Sequence, residues 1–235
     1  MRALRVLLAV LVVLGILFVA ADRLAVHLAE DEAASRIKGA QGMPDTKDVD
    51  VDIKGFPFLT QVLGRDLDQV DATFSGMRTE TAGRELTVSR IEAQLRNVEI
   101  GGNFDSAIAK DATGTALISY DALSKATDEN VEVGWGGKDD QGRGQVKVTA
   151  SVSLLGQTFE RSVHSAVSVS GDQVKLKARD IPGADIPGVE DLIRDRIDIA
   201  RKIAGLPKGL ELDEVEATEK GIELSVKGSD VSLTG

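Results

Sequence analysis

The chain is 235 residues long, 42% hydrophobic but only 3% aromatic, free of cysteine, and carries a formal charge of −10 at neutral pH. Without cysteine there is no disulfide framework, thiolate metal site or thiol nucleophile, and net acidity with few rings to stack bases excludes the footprint of a nucleic-acid binder. A core of this composition is built from Val, Leu, Ile and Ala, a bias that favours sheet.

Arg2 and Arg5 precede residues 6–21 (VLLAVLVVLGILFVAA), a run of sixteen residues with no charged side chain. The positive-inside rule holds the arginines in the cytoplasm and delivers the chain beyond Ala21 to the outer face of the cytoplasmic membrane. As a helix the run spans ~24 Å against a hydrocarbon core of ~30 Å. That length fits a retained anchor, extended to Ala3 by snorkelling of Arg5, or a signal peptide with Val19 and Ala21 at the small-residue positions of its cleavage site, which would release a secreted domain. The retained anchor is favoured, because helical sequence continues through residues 22–38, with Leu24, Ala25, Leu28, Ala33 and Ile37 at helical spacing. The chain thus divides into a membrane segment (1–21), an amphipathic helix (22–40) and a folded domain (41–235). His27 reads as a partly exposed helical residue rather than a ligand.

Residues 39–44 (GAQGMP) end the helix, and strands come next. Val49, Val51 and Ile53 alternate with Asp48, Asp50 and Asp52. The three aspartates read as a solvated face, since Ile53 stands where a calcium loop needs glycine and Leu59 where it needs a bidentate glutamate. Alternation continues at Val70, Ala72 and Phe74, at Leu86 and Val88, and at Ile91, Ala93 and Leu95. It then changes phase to Val98 and Ile100, which predicts a bulge.

Residues 146–154 form the longest alternating stretch. It is expected to pair antiparallel with Val163–Val169, followed by Leu176 and Ala178 beyond a turn at Gly171 and Asp172. Val215 and Ala217 are expected to pair with Ile222, Leu224 and Val226 across Lys220 and Gly221. Helices are predicted over 120–127 and over 189–204; the latter is amphipathic, with Val189, Leu192, Ile193, Ile197, Ala200 and Ile203 in one stripe. Strands with one apolar face plus such helices predict an α+β fold, a long curved, mostly antiparallel sheet wrapped on one or two amphipathic helices.

Catalytic signatures are missing: no GxSxG elbow, HExxH, P-loop or dinucleotide fingerprint occurs. The glycine-rich stretch 134–144 (GWGGKDDQGRG) lacks a hydroxyl residue after its lysine and a following helix, so it reads as a hairpin loop. Trp135 within it is either a loop tip or, preferably, a strand end packed on the core. His164 has no nucleophile near it and reads as a strand residue. The duplicated Asp-Ile-Pro-Gly of residues 180–188 stiffens the approach to the second helix. Neither an enzyme nor a cofactor is expected.

One connection is unusually apolar for a surface segment: residues 55–64 (GFPFLTQVLG). It is read as a core plug, as the lip of an apolar cavity, or as a membrane-touching tip. With the strand after it (RDLDQVDATFSG), and preceded by an anchor, an amphipathic helix and an alternating acidic strand, it resembles the LmeA-like family of actinobacterial envelope proteins. The resemblance covers almost everything from the anchor to the C-terminus, and Gly55-Phe56-Pro57-Phe58-Leu59 with Asp66 to Phe74 is its most specific part. It implies phospholipid binding in an elongated fold with an apolar cavity, and no catalytic residue; the family's namesake is implicated in elongating the mannan of lipomannan-type glycolipids.

Burying acyl chains in an aliphatic groove is itself stabilising, at ~0.8 kcal/mol per CH₂. The expected lipid-binding residues are Phe56, Phe58, Leu59, Val62, Leu63 and Phe74, with Leu192, Ile193 and Ile197. Arg194, Arg201 and Lys202, with Arg196 and Lys208 nearby, either meet a headgroup phosphate or form a solvated helix face. A second reading is a membrane-anchored scaffold that docks an envelope glycosyltransferase and encloses no lipid.

Overall fold

The computed structural model describes residues 2–39, 46–81, 84–102, 106–127, 130–154, 157–180, 199–202 and 206–233. Its first element is one uninterrupted helix, α1 (Arg2–Gly39), about 57 Å long at 1.5 Å per residue. The apolar run and the charged stretch after it are therefore one rod, long and apolar enough to cross a membrane. The second half of the rod meets the domain through a face that matches the one periodicity suggested only in part: Ala25, Ala33 and Ile37 are half-buried. Leu24 and Leu28 point to solvent, while Asp22 and Val26 are buried and Ala25 and Ala29 pack beside them. Small alanines allow the helix to lie close to the strands, where a leucine would hold it away.

β1 (Asp48–Lys54) leads through a short helix, α2 (Phe58–Gly64), into the long antiparallel strands β2 (Asp66–Thr81), β3 (Arg84–Ile100) and β4 (Ala107–Ser119). A helical turn, α3 (Tyr120–Lys125), comes after them, capped by the Ser119 hydroxyl, which accepts from the Ala122 amide at 3.3 Å. Next come β5 (Val131–Lys138), β6 (Gly144–Leu154), β7 (Gln157–Ser170), β8 (Gln173–Asp180) and β9 (Ile199–Lys202). The chain ends in the hairpin β10 (Leu210–Thr218) and β11 (Gly221–Ser232).

These strands make two antiparallel sheets, of order β1-β2-β3-β4-β11-β10 and β5-β6-β7-β8-β9. The fold is α+β as expected, with the strands shared between two sheets. The C-terminal hairpin pairs as predicted, Val215 with Leu224 and Ala217 with Ile222, and returns to lie beside β4. The β6–β7–β8 meander also pairs as predicted, although β3, at 17 residues, is longer than β6, at 11.

Residues 199–202, expected to end the second helix, instead form β9. They pair with Gln173–Leu176 and satisfy backbone groups that the edge of β8 would otherwise leave open. The remainder of that predicted helix, 189–198 and 203–204, lies outside the described residues.

The sheets meet where Val146 and Val174 pack against Leu212, Val215, Ala217 and Ile222, with Trp135 against the same cluster as a strand residue on β5. Gly144 is required at this contact, because a Cβ there would stand 1.8 Å from the Ala217 carbonyl oxygen.

The predicted bulge near Val98 is absent. β2 and β3 keep one register from Leu67 opposite Val98 to Thr81 opposite Arg84. Asn97 instead adopts a left-handed conformation (φ 49°), as does Asp230 (φ 49°), which the register places on the same row of the sheet. Apolar alternation shifts phase on that row in β2, β3, β4 and β11 together, so the ladder stays aligned. Leu95 and Val98, on either side of the shift, join one core cluster. Asn is among the few side chains that tolerate this backbone region.

Candidate functional site

Where α1 leaves its apolar run, Asp22 is fully buried. Its carboxylate accepts the Leu59 amide at 2.9 Å and the Arg23 guanidinium at 2.7 Å. α2 begins at Pro57, whose side chain cannot cap, so the open amides at the helix start are met by a carboxylate from α1 instead. Burial works to raise the Asp22 pKa, but the Leu59 amide, Arg23 and the Phe58 amide outweigh it, and the carboxyl is held below its ordinary value. Arg23 also lies over the Phe56 ring, 5.2 Å from its centroid. Two helical turns on, Glu30 accepts the Ile53 amide of edge strand β1 at 2.9 Å, with His27 3.2 Å from its other oxygen. These two carboxylate–amide bonds fix α1 to the domain.

The apolar connection is α2 with its approach, and its residues divide between two roles. Phe58, 6% exposed, packs with Val26, Leu67, Val98 and Ala109, and Val62 packs against that cluster. Leu59 is half-buried, whereas Phe56 is 57% and Leu63 84% exposed. Gly55 takes φ 98°, and a Cβ on it would stand 2.4 Å from Asp68 Oδ2 and 2.5 Å from Gln61 Nε2. The Gln61 side chain ties the turn together by accepting the Asp68 amide at 2.8 Å. Arg65, in left-handed conformation, closes α2 by donating to the Val62 carbonyl at 3.1 Å.

Beyond α2 the apolar positions of the first sheet continue in register. One row runs Val51, Ala72, Ala93, Gly114, Val226, Leu212, and the next Val49, Phe74, Ile91, Ala116, Leu224, Val215. At the flanks, Val49 and Val51 on β1 and Leu212 and Val215 on β10 are buried. On β3 and β4, Ile91, Ala93, Gly114 and Ala116 are only half-buried. The strip between the flanks is floored by small side chains. A hollow of about 580 Å³ lies over the other, polar face of the same strands, at Asp71, Thr73, Glu92, Gln94, Thr115 and Lys227, and one of about 620 Å³ lies between α1 and β1 at Val26, Glu30 and Val51.

The structure thus gathers Phe56, Phe58, Leu59, Val62 and Leu63 at one end of the first sheet, against α1. Phe74 lies further along β2, opposite Val49 and Ile91. Leu192, Ile193, Arg194 and Ile197 lie outside the described residues. Arg201 and Lys202 belong to β9 of the second sheet, opposite Val174 and Gln173, and are not brought to α2. Sequence reasoning missed Asp22 and Arg23, whose only signal is that they are the first charges after the apolar run. It also missed the strip through Ile91, Ala93 and Ala116, legible only once strand register is known.

Neither the curated proteins nor the solved structures contain a match to this chain. A family model does match it, that of LmeA-like phospholipid-binding proteins, over residues 20–227. The match begins at the end of the apolar run, takes in the α1–α2 contact and strands β1 to β10, and ends within β11. The chain belongs to the LmeA-like phospholipid-binding family.

Proposed function

We propose that the protein holds a phospholipid or related envelope lipid, without chemically altering it, along the strip of the first sheet between β1 and β10. In this reading α1 keeps the domain at the outer face of the cytoplasmic membrane with its N-terminus inside, and the lipid is shuttled or presented for assembly of envelope glycolipids of the lipomannan type. The family match supports lipid binding. The observation that carries the location is the burial contrast: the apolar rows are sealed at both flanks and half-open along β3 and β4. Acyl chains laid there bury aliphatic surface with little demand for polar specificity.

The test is photolabelling of the full chain in vesicles containing a diacyl phospholipid with a photoactivatable acyl chain. Adducts are expected on the peptide spanning Ile91, Ala93 and Leu95. Ala93→Trp, which fills the strip with a large ring, is expected to remove them while leaving the circular dichroism spectrum intact. Adducts confined to α1 would sink the reading and favour a scaffold that docks a membrane glycosyltransferase.

A further inference from the structure

We propose that the domain is seated in the leaflet on its own side of the membrane, resting on an apolar collar of Leu24, Phe56 and Leu63. It does not hang free from α1. Beyond the C-terminal end of the apolar run, the large hydrophobic side chains left exposed among the described residues are Leu24, Leu28, Phe56, Leu63 and Ile108. All five lie at one end of the domain. Leu24 and Leu28 stand on α1 just past the run, Phe56 and Leu63 flank α2, and Ile108 begins β4 beside Ala109 of the cluster that receives Phe58. A soluble surface scatters such residues singly; here they ring the point where the membrane helix emerges.

The geometry of Asp22 sets the height of this ring. Asp22 is the first residue beyond the run, and its bond to the Leu59 amide holds α2 level with it. Sixteen uncharged residues fall short of a ~30 Å hydrocarbon core by ~6 Å, of which extension back to Ala3 by snorkelling of Arg5 recovers about 4.5 Å. The rest lies past Ala21, where the side chain of Leu24, leaning toward the helix N-terminus, comes within reach. The two charges in the way are both accommodated: Asp22 is sealed inside the protein by hydrogen bonds, and Arg23, its side chain about half exposed (47%), lies over Phe56, placed to reach lipid phosphate. A chain of net charge −10 is repelled by anionic bilayers elsewhere on its surface, so contact is confined to the collar. This inference rests on α1 being a membrane helix, and it gives a lipid a route from leaflet to sheet without crossing water.

Because the chain has no cysteine, single-cysteine variants carry one label each. Leu24→Cys, Phe56→Cys and Leu63→Cys would be compared with Leu14→Cys inside the apolar run and Ser168→Cys on exposed β7. Each is made in the full chain, labelled with an environment-sensitive fluorophore and reconstituted in phosphatidylcholine–phosphatidylglycerol vesicles containing nitroxide-bearing lipid. Labels at residues 14, 24, 56 and 63 are expected to lose most of their emission to the nitroxide, and the label at 168 to keep it. Leu63 packs on little, so its variant folds and serves as a check on Phe56. Quenching at 14 with positions 56 and 63 behaving like 168 would overturn the collar while leaving the anchor standing. No quenching at 14 would overturn both.

Discussion

Two stretches of the same four strands differ in what they do with the same kind of side chain. At the α2 end, Leu67, Val98, Ala109 and Val231 form a row that is buried throughout and closed by Phe58 and Val26. Further along, the row Phe74, Ile91, Ala116 and Leu224 is aliphatic and aromatic too, yet every member is only half-buried. Composition does not separate the two rows. What separates them is that α1 and α2 close the first, while burial along the second is complete only at the outer strands. Apolar surface buried at the α2 end stabilises the fold. Apolar surface left half-open in the middle is available to a ligand that buries it.

The largest expected effect tests that contrast directly. Phe58→Ala should destabilise the protein by about 3–5 kcal/mol, because it leaves a cavity among Val26, Leu67, Val98 and Ala109. Ile91→Ala, at a half-buried position in the middle of the sheet, should cost only about 1–2 kcal/mol. Urea unfolding of the full chain in mild detergent, followed by circular dichroism, measures both. Equal costs would mean that the middle of the sheet is as closely packed as the α2 end, and the contrast would be lost.

Gly55→Ala comes next. The new methyl must adopt a left-handed backbone and share space with Asp68 and Gln61, so α2 must shift or the turn must open. A cost of about 1–3 kcal/mol is expected, with faster hydrogen exchange at the Phe58 and Leu59 amides than in the parent chain. Unchanged exchange would show that the turn does not set the position of α2.

Much of this architecture was legible because strands with one wet face write their period into the sequence. Val49, Val51 and Ile53 against three aspartates give β1, and alternation with turn residues gives the β6–β7–β8 and β10–β11 pairings. The parts that were not legible depend on distant partners. α2 is seven residues long with proline before it, and its cap comes from Asp22, 37 positions away. The phase change at Val98 was visible, but a left-handed Asn97 and a bulge leave the same trace in one strand. Helical period at residues 199–202 lost to an open strand edge on β8. The face that α1 turns inward was read correctly at Ala25, Ala33 and Ile37 but not at Leu24 and Leu28, which point to solvent because close approach to a sheet favours the smaller side chains. Of the candidate site, the residues around α2 were found together. Their division into a buried Phe58 and exposed Phe56 and Leu63 needed the third dimension.

The smallest effect sharpens the comparison at the point where the packed end is joined to α1. Asp22→Asn keeps an acceptor oxygen for the Leu59 amide but removes the charge that opposes Arg23 and the open end of α2. The folded-state pKa of Asp22 lies below its ordinary 3.8, so its charge contributes stability that is fully present above that pH and is lost as pH falls through the folded value. Asp139, held low chiefly by the Arg143 amide, adds acid sensitivity of the same sign to both proteins, so only their difference reports on Asp22. The gap in melting temperature between parent and Asp22→Asn should be constant at neutral and mildly acidic pH and close below 3.8. A gap that persists at lower pH would mean that Asp22 holds α2 by shape and hydrogen bonding alone. In that case the junction of α1 and the domain would owe nothing to the carboxylate's charge.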